Sequence, residues 1–386
     1  MKYLSWGLIG GGEGSQIGGT HRIAAQLDGK FCLKAGALDI DRDSGKAFAQ
    51  RLGIAADRAY GDWREMLEAE KNREDRLDLV TIATPNNSHY EIAKAFLQEG
   101  FDVLCEKPLT TTVEQAREIV VLAENRGRIC AVNYGYSGYP MVRQCRAMVA
   151  RGDLGKIRVV VAEFAHGHHA DESQADNPRI KWRYDPAQAG VSSVLADAGI
   201  HALHLACFTT GQEVSSLAAD FASTVEGRQL EDDALLAFRM SGGAVGRLWT
   251  SAVAVGRAHG LTIAVYGGKG GLRWQQEQPN QLLWSPVNGA TVTLERAASD
   301  LEQESLSASR APIGHPEGFF EAFGNVYVGL AEALLARQSG RKERNAVLHY
   351  PTADDGFRSV AAVHAAAQSA GLGGIWVDAV SGKALS

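Results

Sequence analysis

The 386-residue chain has no block of Lys or Arg longer than a few residues, and its formal net charge is -6. It therefore offers no basic field to hold a nucleic acid or an anionic membrane. Paired thiols are also missing. Cys32, Cys105, Cys130, Cys145 and Cys207 are scattered and form no CxxC, which argues against a disulfide framework or a zinc knuckle and fits a reducing cytoplasm. The apolar run near Met1 breaks into glycines at Gly10 to Gly12, too soon for a signal sequence or a membrane span. No internal repeat or low-complexity tract is present. What remains is an ordinary globular composition, 45% hydrophobic and 22% charged, of a length that predicts two domains.

From residue 1 to 132 short apolar runs alternate with helical stretches, the pattern of βαβ units around a parallel sheet. Strands are predicted over Leu4 to Ile9, Leu33 to Leu38, Leu77 to Ala83, Phe101 to Cys105 and Ile129 to Val132, with helices at about 21 to 29, 43 to 52, 87 to 99 and 112 to 126. This first domain reads as a doubly wound α/β Rossmann fold. Residues 133 to 386 change texture. A helix near 140 to 151 precedes runs rich in Val, Phe and Thr over Ile157 to Ala165, Val214 to Val225, Asp233 to Met240, Ala244 to Ala254, Leu261 to Tyr266 and Leu272 to Trp274. Glycine pairs such as Gly242-Gly243 mark turns between them, so the second domain is expected to be α+β with a large, mainly antiparallel open sheet. Glu295 to Ser309, the most polar stretch, reads as a surface loop. Helices from Glu317 to Gln338 and Ala353 to Ala370 close the chain and are free to pack back on the first domain. An open sheet with one uncovered face predicts a homodimer or homotetramer formed through it.

Gly10, Gly11, Gly12, Gly14 and Ser15 follow the first strand. Glycines there let the backbone turn sharply and approach a pyrophosphate, and the next helix offers its free N–H groups. Ser15 in the third fingerprint position departs from GxGxxG, leaving an ordinary glycine-rich turn as the alternative. Asp39, after the second strand, is placed to accept from both ribose hydroxyls of NAD. Asp41 and Arg42 complicate this: either carboxylate could cap the next helix, and an Arg can accommodate the 2′-phosphate of NADP.

Thr84-Pro85-Asn86 and Glu106-Lys107-Pro108 end the third and fourth predicted strands, on the edge where open α/β sheets bind ligands. Lysine before proline is held extended, with a cis bond available. Asp197-Ala198-Gly199-Ile200-His201 leads into an apolar helix. If Asp197 caps it, His201 lies one turn further on a similar side; a plain N-cap and a core histidine are the bland alternatives. His166-Gly167-His168-His169 is assigned to the substrate pocket or the surface, and no metal is expected. Tyr134, Tyr136, Trp182 and His315 are candidate pocket walls, with plain core or interface packing as the alternative for each.

Taken together and in order, these pieces resemble the Gfo/Idh/MocA family of sugar and inositol dehydrogenases over essentially the whole chain. The matching residues are Gly10 to Gly14 opening into Ile17-Gly18 and His21-Arg22, Thr84-Pro85-Asn86 with His89, Glu106-Lys107-Pro108, Asn133-Tyr134, and Asp197, Gly199 and His201. Trp182-Arg183 and His315-Pro316-Glu317-Gly318 look like features of a larger-chain branch. The resemblance implies an NAD(P)-dependent oxidoreductase acting on a secondary hydroxyl of a sugar or cyclitol. It implies cofactor contacts from Gly10, Gly12, Gly14, Ser15, Ile17, Asp39, Thr84, Pro85, Asn86, His89, Glu106, Lys107 and Asn133. By the same analogy His201 is the proton acceptor, Lys107 holds the reacting oxygen and Asp197 a neighbouring hydroxyl, with Tyr134, Tyr136, Trp182, Arg183 and His315 around the substrate. Departures are His204, where many relatives are acidic, and Val191-Ser192-Ser193 in place of a glycine run. A glycosidase-like enzyme that keeps its NAD and a non-catalytic sugar or nucleotide sensor are the competing readings.

Overall fold

In the computed structural model, residues 3–174, 176–341 and 350–385 are described. The chain divides into two compact units, Met1–Thr110 with Glu114–Gly138 and Phe319–Phe357, and Thr111–Val113 with Tyr139–Gly318 and Arg358–Ser386. The first unit begins β1 (Leu4–Gly10), α1 (Gln16–Gln26), β2 (Phe31–Ala37), α2 (Arg42–Arg51), α3 (Trp63–Glu70), β3 (Leu79–Ala83), α4 (His89–Gln98) and β4 (Val103–Cys105). Helix α5 (Val113–Arg126) and β5 (Cys130–Val132) follow. Its five strands are parallel in the order β2-β1-β3-β4-β5. β3, β4 and β5 are buried at every residue, as strands of a sheet covered on both faces must be. The order reverses at β1, so the carboxyl ends of β1 and β3 flank the switch point where such sheets bind ligands.

The second unit carries α6 (Pro140–Arg151), β6 (Ile157–Ala165), the short helices α7 (Pro178–Lys181) and α8 (Pro186–Ala189), and α9 (Ile200–Thr210). Then come β7 (Val214–Ala222), β8 (Asp233–Met240), β9 (Val245–Ser251), β10 (Leu261–Gly267), β11 (Gly270–Gln275), β12 (Gln281–Pro286), β13 (Val292–Glu295) and α10 (Gln303–Leu306). The chain ends in α11 (Phe319–Gln338), α12 (Ala353–Gly371) and β14 (Val377–Asp378). Nine strands form one sheet in the order β13-β12-β11-β10-β6-β9-β8-β7-β14. The β6–β9 pair is parallel and the others are antiparallel. Alternation along the strands gives the sheet a buried face, with Leu236, Val265 and Leu282 at 0% exposure; α9 packs on β6 and β10, and α6 on β11 and β12. Their strand neighbours Leu235, Tyr266 and Leu283 point the other way and stay exposed.

Helix α11 belongs to the first unit, where Tyr327 meets Trp6 and Phe31 edge-on at 5.8 and 5.6 Å between ring centres. It is long and apolar enough to cross a membrane, yet 67% of its apolar window is buried, as in the core helix of a folded domain. Residues 295 to 309 differ from the predicted surface loop. They begin at the end of β13, contain α10, and bury Arg296, Leu301, Ser305 and Ala308. The buried charge among them is Arg296, which binds Glu317 and the carbonyls of Ala311, Pro312 and His315.

Candidate active site

The residues singled out in the sequence fall into two groups, one on each unit. In the first, Gly10, Gly11 and Gly14 have φ of 76°, 67° and 75°, a region only glycine enters without strain. A Cβ on Gly18 would come within 2.3 Å of the Gly11 backbone, so the loop and α1 approach as closely as two glycines allow. Arg22 donates to the Gly11 carbonyl at 2.6 Å and Ser15 caps α1 by accepting from the Gly18 N–H. That leaves the N–H groups of Gln16 and Ile17, which no carbonyl within the helix can take, at the positive end of the helix dipole. A Cβ on Gly14 would meet nothing within 4 Å, so the loop is open on that side.

The carboxylates after β2 separate cleanly. Asp41 caps α2, accepting from the Ser44 N–H at 2.8 Å, and that bond holds its carboxyl below the usual range. Arg42 is engaged by Asp62 and Glu65. Asp39 accepts from the Asp41 N–H at 3.0 Å through Oδ1 and lies beside Gly12, where a Cβ would be 2.7 Å from its Oδ2. At the strand ends, the Lys107–Pro108 peptide is cis. His89 is fully buried, its two ring nitrogens on the carbonyls of Pro108 and Thr84 at 2.8 and 2.9 Å, tying the loops after β3 and β4 together.

Glu106 is buried as a carboxylate. Its Oε1 accepts from His21 and Asn133 and its Oε2 from the Lys107 N–H at 3.2 Å. Burial works to raise its pKa, but the His21 and Asn133 bonds and the nearby Lys107 charge outweigh it and hold the group below the ordinary carboxylate range. Asn133 is 1% exposed and its Oδ1 has no partner among the described residues. The open glycine cradle, the unbonded helix N–H groups, Asp39 clear of the α2 cap and this acceptor at the end of β5 fit a dinucleotide cofactor.

The second unit holds the Asp197 and His201 pair. Asp197 is not the N-cap the sequence allowed. Leu195–Gly199 form a π-helical turn that runs directly into α9, placing Asp197 inside the helix. The capping work falls to Glu231, just ahead of β8, whose buried Oε1 accepts from Ser192 Oγ, Ser193 N and Leu195 N. Burial raises the Glu231 pKa against those three bonds. Nothing local in the sequence marks this residue, because its partners lie 36 to 39 positions away.

The Asp197 carboxylate, free of capping duty, accepts from Arg183 Nε at 3.1 Å, and that guanidinium lies over the Trp182 ring. A Cβ on Gly199 would lie 2.7 Å from a Leu195 methyl and 2.8 Å from the Thr250 methyl, so a side chain there would have to displace both. Phe164 borders His201 and His259, with ring centres at 6.1 and 4.5 Å. His166 stacks on His168, and His169 bonds the Tyr184 hydroxyl at 2.9 Å. Burial, then the neighbouring imidazoles, pushes His166 down to about 4. Burial, then Arg183, does the same for His169. Both rings are therefore neutral at pH 7 beside Asp197. Among the described residues no group of three His, Cys, Asp or Glu could hold a metal ion.

The remaining candidates are placed as follows. Tyr134 is fully buried, and Tyr136 packs against Phe319 and Phe323 in the first unit. The His315 side chain is exposed, while its carbonyl is held by Arg296.

Residues 4–134 match the model of an oxidoreductase family with an NAD-binding Rossmann fold, and residues 142–273 that of the GFO/IDH/MocA C-terminal domain. The uncharacterized oxidoreductase YfiI of Bacillus subtilis (strain 168) is 39% identical over 381 residues, 98% of this chain and 97% of that protein. The chain belongs to the Gfo/Idh/MocA oxidoreductase family. An inositol dehydrogenase homolog of Azotobacter vinelandii, solved with NAD+, superposes with a TM-score of 0.94 at 41% identity, covering 98% of this chain and 97% of its own. The same homolog, solved with NADH and myo-inositol, gives 0.91 at 40% identity, covering 98% of each chain. Levoglucosan dehydrogenase of Pseudarthrobacter phenanthrenivorans is 27% identical over 310 residues, 73% of this chain and 76% of that protein. As a family member the chain is an NAD-binding oxidoreductase, and the dinucleotide features of its first unit agree.

Proposed function

We propose that this enzyme is an NAD-dependent dehydrogenase of a secondary hydroxyl on a cyclitol or sugar, with Lys107, Asp197 and His201 as its catalytic residues. The observation that carries the reading is Asp197 and His201 one helical turn apart, next to a wall of neutral imidazoles. Such a surface offers hydrogen-bond donors and acceptors to a ring of hydroxyls without a net charge. The inositol dehydrogenase homolog solved with myo-inositol supports the substrate class. NAD, when bound, supplies the hydride acceptor.

The chain's own residues do the rest. His201 takes the hydroxyl proton. Asp197 accepts from a neighbouring hydroxyl, oriented by Arg183. What brings Lys107 to the same substrate is the family resemblance; its ammonium donates to the reacting oxygen as charge develops there. Glu106 and His89 act as positioning residues for that lysine, and Asp39 favours NAD over NADP by repelling a 2′-phosphate.

Purified enzyme incubated with NAD or NADP and a panel of inositols, aldoses, anhydrosugars and glycosides should reduce NAD with at least one cyclitol or sugar. Lys107→Ala should abolish the signal. Silence across the panel despite NAD binding would sink the dehydrogenase reading in favour of a sensor or an enzyme that keeps its cofactor.

We infer further that a second copy covers the outer face of the nine-stranded sheet. That face exposes Leu235, Tyr266 and Leu283 and holds a cavity of about 480 Å³ lined by charges of both signs, among them Glu163, Arg257, Arg273 and Glu277. Light scattering should report a dimer or tetramer, and a monomer would end this assignment. None of the five cysteines is in a disulfide, in keeping with a cytoplasmic enzyme.

A further inference from the structure

A chain of buried polar side chains in the first unit runs from the core of the sheet to the Glu106 carboxylate. The Trp6 indole donates to Thr81 Oγ1 at 2.9 Å, and Thr81 Oγ1 lies 3.0 Å from the Tyr327 hydroxyl. That hydroxyl lies 2.8 Å from His21 Nδ1, and His21 Nε2 is 3.0 Å from Glu106 Oε1. Trp6, Thr81, His21 and Tyr327 are each at most 1% exposed. Tyr327 and His21 are 306 residues apart in sequence, so no local pattern joins them.

The direction of every bond follows from one end. An indole nitrogen can only donate, so Thr81 Oγ1 accepts there. Among the described residues Tyr327 is the one acceptor the Thr81 hydroxyl has, so Thr81 donates to Tyr327 and Tyr327 donates to His21 Nδ1. Nδ1 is then an acceptor, the ring proton sits on Nε2, and Nε2–H donates to the Glu106 carboxylate. The reverse sense would strand the Thr81 hydroxyl without an acceptor in the core, where an unmade hydrogen bond is costly. With a neutral ring it would also turn a bare Nε2 lone pair toward the Glu106 carboxylate.

We propose that this chain is a one-way hydrogen-bond relay that fixes the His21 tautomer and seats Glu106 beside Lys107, making Tyr327, Thr81 and His21 positioning residues for the cofactor half of the site. Glu106 is the point of convergence. Through it the relay reaches Asn133 at the end of β5 and the Lys107 N–H at the end of β4, the edge on which an open α/β sheet binds its ligand. The proposal deepens the dehydrogenase reading and rests on it only for the turnover readout; the tautomer and NAD binding are measured without substrate.

The test uses the full-length enzyme labelled with 15N-histidine, the His21 signals being those lost in His21→Gln. Solid-state spectra should show a neutral ring protonated at Nε2. Tyr327→Phe and Thr81→Val keep the side-chain shape and remove one hydroxyl each. Both should weaken NAD+ binding, read by calorimetry, roughly tenfold, and lower kcat with the polyol KM unchanged. Phe31→Leu disturbs the packing on Tyr327 without touching a hydroxyl, and should lower Tm while NAD+ affinity holds. A His21 ring protonated at Nδ1, wild-type NAD+ affinity in Tyr327→Phe, or equal weakening by Phe31→Leu would each overturn the relay. If the tautomer and binding results hold but no polyol is oxidised, the relay stands and the dehydrogenase reading falls.

Discussion

His201→Asn is expected to lower kcat by roughly three orders of magnitude while NAD+ affinity stays at the wild-type value. The variant removes the proposed proton acceptor and keeps a polar side chain of lesser volume in the same helix. The dinucleotide loop stands on the other unit, so cofactor binding provides an internal control for folding. On the proposed role, an acid limb in the wild-type pH–rate profile should disappear in the variant, whose residual rate should climb with hydroxide. Asp197→Asn should act differently. It loses the charged partner of Arg183 and an acceptor for a neighbouring hydroxyl, so KM rises and the pH profile keeps its shape. Steady-state kinetics across pH separates the two. A kcat within tenfold of wild type for His201→Asn would remove that histidine from its assigned role.

The first unit was the more legible of the two, for physical reasons. β1 to β5 are apolar runs bounded by glycines and polar loops, and the predicted segments meet the observed strands apart from a residue or two at their ends. The glycine loop was readable because a positive φ leaves few other residues to choose from. In the second unit, strands with one buried face, such as Ile157–Ala165 and Asp233–Met240, alternate strongly enough to be bounded to the residue. β12 and β13 were not seen. Val292–Glu295 buries none of its residues fully, so its pairing with β12 leaves no apolar period to detect. Helix α3 was passed over as well, although Asp62 caps it at Arg64 and Glu65.

The residue types proposed for the site could be read from the sequence, and the local duties of some of them could not. Asp197 looked like a helix cap because it precedes an apolar helical run. The turn before α9 is capped instead by Glu231, from a segment whose proximity only the folded sheet creates. The same holds for Tyr327, which reads as one more aromatic on an apolar helix until His21 and Thr81 are placed against its hydroxyl.

Arg296→Ala is expected to destabilise the second unit by about 3–5 kcal/mol, the usual consequence of removing one partner of a buried ion pair. Arg296 and Glu317 have side chains 2% and 4% exposed and meet at 2.9 Å. The guanidinium also donates to Asn280 Oδ1 at 2.7 Å and to the Ala311, Pro312 and His315 carbonyls. Glu317 in turn accepts from the N–H groups of Arg310 and Ala311, both at 2.6 Å. Truncation would leave a buried carboxylate with only the more distant Arg310 guanidinium, 3.9 Å away, and several carbonyls without donors. Arg296→Lys should recover only part of the loss, because an ammonium cannot span donors spread over a planar fork. Glu317→Gln added to Arg296→Ala should cost less than the sum of the single changes, since the charge left unpaired by the first is removed by the second. Urea unfolding of the four proteins measures this coupling directly. The segment held by this arginine carries His315, so the same variant should raise the substrate KM if that residue lines the pocket. A loss below 1 kcal/mol for Arg296→Ala would mean that water reaches the pair, and that residues 295 to 309 behave as the surface loop their polarity predicts.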